Sequence, residues 1–253
     1  MRVTESRRID LFPAIDLRRG RCVRLERGEA DRETAYSDDP REVAAGFAAA
    51  GAAWVHVVDL DAAFGDGSNR ALIRDLAASS GLRVQTGGGL RTDADLEEVL
   101  GAGAARAVIG TAAIENPELV RRAVERWGAE RIAVGLDARG RRPAVRGWTE
   151  ESSRDLFDLG RSLAGLGVRT FIYTDIDRDG MMMGPNLPLS IELAESSGAE
   201  VIVSGGIRGV EDVEAVADAF RGGAPLVGVI TGKAIYEGRL DVAEAVRRIR
   251  AER

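Results

Sequence analysis

A closed eight-stranded parallel barrel, the (β/α)8 TIM-barrel class, is the fold predicted by this sequence, and three observations carry it. Short runs rich in β-formers alternate with longer helical patterns, the β-type runs number eight, and the second half of the chain resembles the first. The candidate strands are Leu11–Ile15, Trp54–Leu60, Arg83–Thr86, Arg106–Ile109, Ile132–Leu136, Thr170–Thr174, Glu200–Ser204 and Leu226–Ile230. Several of them, such as VHVV, VIVS and LVGVI, are unbroken apolar runs, which suits parallel strands covered on both faces. Helical patterns lie between them, among them Pro40–Ala50, Asp93–Ala102, Pro117–Trp127, Ser152–Leu166 and Val210–Phe220. Pro40 and Pro117 fall at first-turn positions, where the missing N–H is not needed. An open doubly wound sheet is the alternative for such an alternation, but eight strands with alternating helices fit a closed barrel better.

Four internal matches keep the same order in both halves. Asp16 in PAIDLRRG pairs with Asp137 in VGLDARG, and VVDLDAAFGDG pairs with IYTDIDRDG, setting Asp59 against Asp175. GGLR at Gly88–Arg91 matches GGIR at Gly205–Arg208, and Val108–Ile114 matches Val229–Ile235. Each recurs after roughly 120 residues, a constancy that points to internal duplication. The chain is therefore expected to be one domain, 1–253, built from two duplicated half-barrels of about 9–127 and about 128–253.

Composition narrows the function classes. A length of 253 residues suits a single barrel. The hydrophobic fraction is 45% but aromatics are only 5%, so the core must be mostly Ala, Val, Leu and Ile. The net charge is −6 with no long block of one sign, which argues against nucleic acid as a partner. A small anionic substrate remains compatible, because a few local cations and N–H groups outweigh a weak overall field. Cys22 is the one cysteine and His56 the one histidine, which excludes an internal disulfide, a cysteine cluster and a multi-histidine metal centre. The first eight residues lack the apolar core of a secretory signal. Val43–Val58, interrupted by Gly46, Gly51 and His56, falls short of the roughly 20 apolar residues that a membrane span needs. A soluble, cytoplasmic protein without a membrane partner is expected, working as a monomer.

In such barrels the loops after the strands build the active face. Gly87–Leu90 (GGGL) follows the third strand, with Arg91 next, and Gly110–Ala113 (GTAA) follows the fourth. Ser204–Ile207 (SGGI) follows the seventh and Thr231–Ala234 (TGKA) the eighth. Glycines let backbone N–H groups approach an anion, with Thr111 adding a hydroxyl and Lys233 a charge. One such pair would be no more than a tight turn. Two matched pairs, each with a partner loop, predict two phosphate sites on opposite sides of the mouth: Gly88, Gly89, Arg91, Gly110 and Thr111 on one, and Gly205, Gly206, Gly232 and Lys233 on the other. A β-carbon at Gly89 or Gly206 is expected to intrude where the backbone meets phosphate oxygens. Asp16 and Asp137 end the first strand of each half, facing each other between these sites. Two carboxylates in different environments can split their affinities for a proton and serve as base and acid. Thr174 and Asp175, ending the sixth strand, are candidates to orient substrate or relay a proton, whereas Asp59 is expected to be structural. His56 is expected to be a core or supporting group and Cys22 a small buried residue. Met181–Met183 could either cover the mouth or pack locally.

PAIDLRRGRCVRL (Pro13–Leu25), DDP (Asp38–Pro40), VHVVDLDAAFG (Val55–Gly65), QTGGGLR (Gln85–Arg91), GTAA, VGLDARG, RGW (Arg146–Trp148), TDIDRDG (Thr174–Gly180), GPNL (Gly184–Leu187), SGGI and TGKA together resemble the phosphoribosylformimino-aminoimidazole carboxamide ribotide isomerases. The resemblance runs from Ile9 to the C-terminus. It implies a half-barrel-duplicated enzyme of histidine biosynthesis that performs an Amadori rearrangement of an aminoaldose to an aminoketose. It also implies a substrate with a phosphate at each end, and no metal or organic cofactor. Under the resemblance Asp16 matches the proton acceptor and Asp137 the proton donor. The family usually has a Thr-Leu pair after the DG, where this chain reads DRDGMMMG; the departure bears on the covering loop and not on the reaction. RGW and DLDAAFGDGSN also resemble members that isomerise phosphoribosyl anthranilate as well, with Arg146 available for its carboxylate and Trp148 for its ring, whereas QTGGGLR resembles the single-substrate members. The related imidazole glycerol phosphate cyclase carries a lysine after the first strand, where this chain has Arg18, Arg19 and Arg21. A non-catalytic binder of a dianion would gain nothing from two carboxylates at mid-site.

Overall fold

The computed structural model describes residues 8–26 and 29–250. The strands are β1 (Asp10–Arg18), β2 (Arg21–Glu26), β3 (Glu29–Ser37), β4 (Trp54–Asp59), β5 (Arg83–Gly87), β6 (Arg106–Ile109), β7 (Ile132–Arg139), β8 (Arg142–Val145), β9 (Glu150–Glu151), β10 (Thr170–Asp175), β11 (Glu200–Ser204) and β12 (Leu226–Thr231). The helices are α1 (Pro40–Ala49), α2 (Leu60–Phe64), α3 (Arg70–Ser79), α4 (Asp93–Gly101), α5 (Thr111–Glu115), α6 (Pro117–Trp127), α7 (Leu156–Gly165), α8 (Leu187–Ser197), α9 (Val210–Arg221), α10 (Lys233–Tyr236) and α11 (Val242–Arg250). Eight strands pair in parallel around a ring, β1-β4-β5-β6-β7-β10-β11-β12, and β12 returns to β1 through Asp10↔Gly228 to Pro13↔Thr231. The eight expected strands are these eight. Among the described residues no helix is long and apolar enough to cross a membrane.

Alternation along each strand sorts residues into two layers. Phe12, Ala14, Trp54, Val108, Ala133, Ile172, Ile202 and Ile230 point inward and form the barrel's own core. Ile15, Leu17, Val55, Val57, Leu136, Tyr173 and Val203 face outward and pack with apolar helix faces such as those of Leu76, Leu119 and Val213. Trp54 fills the base of the barrel: its indole donates to Asp10 Oδ2 at 3.0 Å, and the guanidinium groups of Arg83 and Arg106 lie 3.9 and 4.8 Å from its ring. Each buried large side chain of this kind stabilises the fold by about 1.5–3 kcal/mol through its apolar area.

Two additions sit on the ring. β2 turns back on β1 and carries β3, while β8 turns back on β7 and carries β9. Neither was expected, because RCVRLE, EADRETAYS and RPAV carry charges in place of an apolar stripe. The helix expected after β9 is shorter than the sequence pattern. In place of Ser152–Leu166, α7 starts at Leu156, because the Asp155 carboxylate accepts from Phe157 N and Asp158 N and caps the first turn there.

Candidate active site

A cavity of about 670 Å³ opens where the barrel strands end. Asp16 on β1 and Asp137 on β7 both line it, and β1 and β7 are opposite each other in the ring. The two carboxylates have different surroundings. Asp16 Oδ2 accepts from Arg24 Nη1 at 2.7 Å, a charge-assisted contact. Asp137 meets no cation in the same way; Trp148 Nε1 donates to its Oδ2 at 2.8 Å and Thr174 also hydrogen-bonds it. Burial pushes the Asp137 carboxyl above the ordinary carboxylate range, and the two hydrogen bonds pull only partly against that.

A third carboxyl, absent from the expected set, lines the same cavity. Asp179 lies in the loop after β10. Burial pushes its proton affinity up, attraction to Arg24 opposes this, and the nearby charges of Asp16 and Asp137 add to the rise. Arg24 is therefore the common cation of the site. Its guanidinium also rests on the loop after β12, where a β-carbon on Gly232 would come 2.5 Å from Arg24 Cζ. Arg24 gave no signal in the sequence, because the residue paired with Asp16 across the β1–β2 hairpin is its neighbour Val23. Asp179 had none either, since a loop has no periodicity.

Asp175, expected in the site, is not among the residues lining the cavity. It is 4% exposed; its Oδ2 accepts from Asn186 Nδ2 at 2.6 Å and lies 3.6 Å from Arg178 Nε, while Oδ1 has no hydrogen-bond partner. The reason is strand geometry. Ile172 and Thr174 line the cavity, so the next residue on β10 must face away. Asp59 behaves as expected of a structural residue. It is fully buried, caps α2 through Ala62 N at 3.1 Å, and accepts from Asn69 N and Nδ2 at 2.8 Å each.

The glycine loops gather in two groups on the cavity wall. Gly88, Gly89 and Arg91 after β5 stand beside Gly110 and Thr111 after β6; Gly205 and Gly206 after β11 stand beside Gly232 and Lys233 after β12. The reason for the glycines differs from expectation. Gly88, Gly89, Gly205 and Gly206 have φ of 95°, 67°, 87° and 84°, the left-handed region that disfavours other residues. A β-carbon on Gly89 would lie 2.5 Å from Ala62 O and one on Gly205 2.8 Å from Asp175 O; on Gly88 and Gly206 it would overlap Asp59 O and Gly184 O. The intruding atom therefore meets protein backbone from the neighbouring loop. The cations of these loops are already engaged: Arg91 Nη2 donates to Ala63 O at 2.8 Å, and Lys233 Nζ donates to Gly180 O at 2.9 Å and lies 3.6 Å from Glu237. Thr111 Oγ1 accepts from Arg146 N at 2.9 Å.

That last contact anchors the turn carrying Trp148. Arg146, Gly147 and Trp148 all have positive φ, 53°, 65° and 70°. Such a turn is strained and needs ties. Arg146 Nε pairs with Glu115 at 3.1 Å and Nη1 with Glu150 at 2.9 Å, so its charge is directed to the rim. Nothing in this arrangement supplies a free cation for an anthranilate carboxylate. His56 lines the cavity floor, and Cys22 is fully buried with its thiol pushed up to about 12 by burial, then by Asp16 and Asp39. Within the run Met181–Met183, Met182 lines the cavity, whereas Met181 and Met183 are 36% and 60% exposed.

The comparisons with known proteins agree with one another. The model of the family described as histidine biosynthesis protein matches residues 10–241. A protein of Desulfitobacterium hafniense (strain DSM 10664 / DCB-2) is 46% identical over 241 residues, 95% of this chain and 96% of its own. One from Rhodospirillum rubrum is 47% identical over 237 residues, covering 93% and 97%, and one from Bacillus licheniformis is 42% identical over 243 residues, covering 96% and 98%. All three are named 1-(5-phosphoribosyl)-5-((5-phosphoribosylamino)methylideneamino) imidazole-4-carboxamide isomerase. With its closed barrel and a family match spanning nearly all of it, this chain belongs to the histidine biosynthesis protein family.

Proposed function

We propose that this chain catalyses the isomerisation for which its relatives are named, an Amadori rearrangement of the bis-phosphorylated aminoaldose to its aminoketose by acid and base catalysis. The observation that carries the reading is the unequal pair of opposed carboxyls: Asp16 met by a guanidinium, Asp137 half-buried and met only by neutral donors. In the proposed course a protonated carboxyl, Asp137, gives its proton to the ribose ring oxygen and the ring opens to a Schiff base. Asp16 then takes the C2′ proton, and the resulting enolamine tautomerises to the ketone. Asp179, whose proton affinity is also raised, stands beside both and can carry a proton between steps. The phosphates would rest on the two loop groups, Gly88, Gly89, Gly110 and Thr111 at one end and Gly205, Gly206, Gly232 and Lys233 at the other. Backbone N–H groups and the Thr111 hydroxyl supply donors there. Trp148 would lie against the flat imidazole carboxamide. We read the barrel as two duplicated halves, which accounts for the paired loops, and the protein as a cytoplasmic monomer whose cavity is complete within one chain.

Turnover of the ribotide by purified protein tests this. Asp16→Asn and Asp137→Asn keep shape and remove proton transfer, a contribution of about 10²–10⁴-fold. Turnover should fall by that factor while the ribotide still binds. An Asp16→Asn variant that turns over within a few fold of wild type refutes the assignment.

A further inference from the structure

His56 is the only histidine of the chain, and the mechanism above leaves it idle. It lies on β4, paired with Ala14 on β1 and with Gln85 on β5, one inward-facing position below the level of Asp16 and Val58. Three side chains in a row settle where its proton sits. Arg106 on β6 donates from Nη1 to Gln85 Oε1 at 3.0 Å, and an arginine has only donors to offer. Gln85 must therefore turn its carbonyl to Arg106 and its NH₂ to the imidazole, where Nε2 stands 3.1 Å from His56 Nδ1. An NH₂ group can only donate, so Nδ1 must accept and be bare. The ring proton is then on Nε2, the nitrogen left for the cavity that His56 lines.

The orientation is held at each link. Gln85 is fully buried, so its amide has no water to turn towards. Arg106 is fixed twice more, by donation from Nε to Glu130 O at 3.1 Å and by its position 4.8 Å from the Trp54 ring. Protonating the imidazole would set an Nδ1–H against the Gln85 NH₂. Burial, with the charge of Arg24 added, pulls its proton affinity down in the same sense, to about 4. Arg24 on β2 is the charged group acting on the ring. The neighbour on β1 is Ala14, and the one on β5 is the neutral Gln85.

We propose that Arg106 and Gln85 are positioning residues that lock His56 as a neutral Nε2–H donor, aimed at an oxygen of the sugar phosphate on the cavity floor. A fixed neutral donor can hold a sugar hydroxyl or carbonyl oxygen without competing with Asp16 for the transferred proton. A free imidazole, with its proton shared between two nitrogens and its charge changing near neutrality, would do neither. The tautomer lock stands on the contacts alone; the donation to substrate rests on the proposed activity.

With one histidine, ¹⁵N-histidine labelling gives a single imidazole spectrum. Wild-type protein should show Nε2 protonated and Nδ1 bare from pH 6 to pH 8, and adding the ribotide should shift the Nε2–H resonance. A proton on Nδ1, or a ring that titrates between pH 6 and 8, overturns the lock. Gln85→Glu offers Nδ1 an acceptor in place of a donor, so the proton should move to Nδ1 and leave a lone pair facing the cavity. Loss of the donor should lower kcat/KM about tenfold at pH 8, the effect of one hydrogen bond. Activity should recover as the pH falls, because the imidazolium that the new carboxylate favours carries Nε2–H again. A reversed tautomer with unchanged kcat/KM overturns the donor role. Should Gln85→Glu fail to fold, Arg106→Met frees the Gln85 amide while keeping an aliphatic stem against Trp54. Two tautomers should then appear, and a single unchanged Nε2–H form overturns the relay. Wild-type protein with the expected tautomer but no turnover of the ribotide would refute the proposed function and leave the lock standing.

Discussion

Replacing Trp148 by phenylalanine keeps an aromatic ring over the cavity and deletes one donor, the indole N–H that reaches Asp137 Oδ2 at 2.8 Å. That bond favours the charged form of the carboxyl, against the burial that favours the neutral form. A hydrogen bond to a charged group contributes about 1.5–3 kcal/mol, and the half-buried position of both partners argues for the lower end. About 1.5 kcal/mol is roughly a tenfold change in the ratio of protonated to ionised Asp137 at fixed pH. A step that needs protonated Asp137 is active at low pH and fades as the pH rises through the folded value of that carboxyl. Trp148→Phe raises this value further, so the alkaline limb of the kcat/KM profile should move to higher pH. At a pH on that falling limb, loss of activity from poorer stacking should be partly offset. The assay is a pH profile of kcat/KM for both proteins, with ribotide affinity measured separately. A limb that stays in place, or moves to lower pH, while affinity is kept would refute the role given to this bond.

Gly88→Ala and Gly140→Ala separate strain from collision, because Gly140 has φ of 55° and nothing within 4 Å of its would-be β-carbon. Gly140→Ala should cost about 1 kcal/mol and lower Tm by about 2–4 °C, whereas Gly88→Ala, which also meets the Asp59 carbonyl, should cost at least about 3 kcal/mol, on the order of 10 °C by calorimetry. Asp175→Asn should keep kcat within a few fold, since Asp175 does not line the cavity, while Asp179→Asn should lose most turnover; equal losses in steady-state assays would contradict the division. The Cys22 thiol, pushed up to about 12, stays protonated at any pH below that value, so an aromatic disulfide reagent at pH 8 should label it only after denaturation.

The barrel was legible because its strands are buried on both faces, and such strands stand out as apolar runs against helices with one apolar side. Asp16 and Asp137 were legible for a related reason: a carboxylate at the end of an apolar run is unusual without a partner or a task. What escaped sequence reading had no such contrast. The hairpin strands β2 and β3 lie over the barrel rim and carry charge on both sides, so the Arg24 guanidinium entered the site unannounced. Asp175 and Asp179 exchanged places for a different reason. Both belong to TDIDRDG, and only the phase of β10, set by Ile172 and Thr174 facing in, tells that Asp175 must face out. Counting that phase from the strand's first residue would have excluded Asp175; nothing in the sequence would have brought Asp179 back over the cavity.

The glycine pairs show how a correct pattern can have more than one cause. Gly88 and Gly205 occupy equivalent places, and a side chain on either would collide with the residue that ends the preceding barrel strand in ring order, Asp59 or Asp175. Each strand-end aspartate is buried and tied to an asparagine, Asn69 in one case and Asn186 in the other. The pair of glycines and the buried aspartate are thus one packing unit, used twice, in which two loops cross with backbone on backbone. Such a crossing needs glycine whether or not a ligand is ever bound. It also leaves the loop without side chains at the wall of the cavity, with its peptide groups as the surface a ligand meets. A phosphate held there would use a surface that loop packing already provides and is not the reason that glycine is required. The residues that can distinguish the two causes are those whose loss leaves the crossing intact, and the Thr111 hydroxyl and the Lys233 ammonium, neither of which takes part in a crossing, meet that condition.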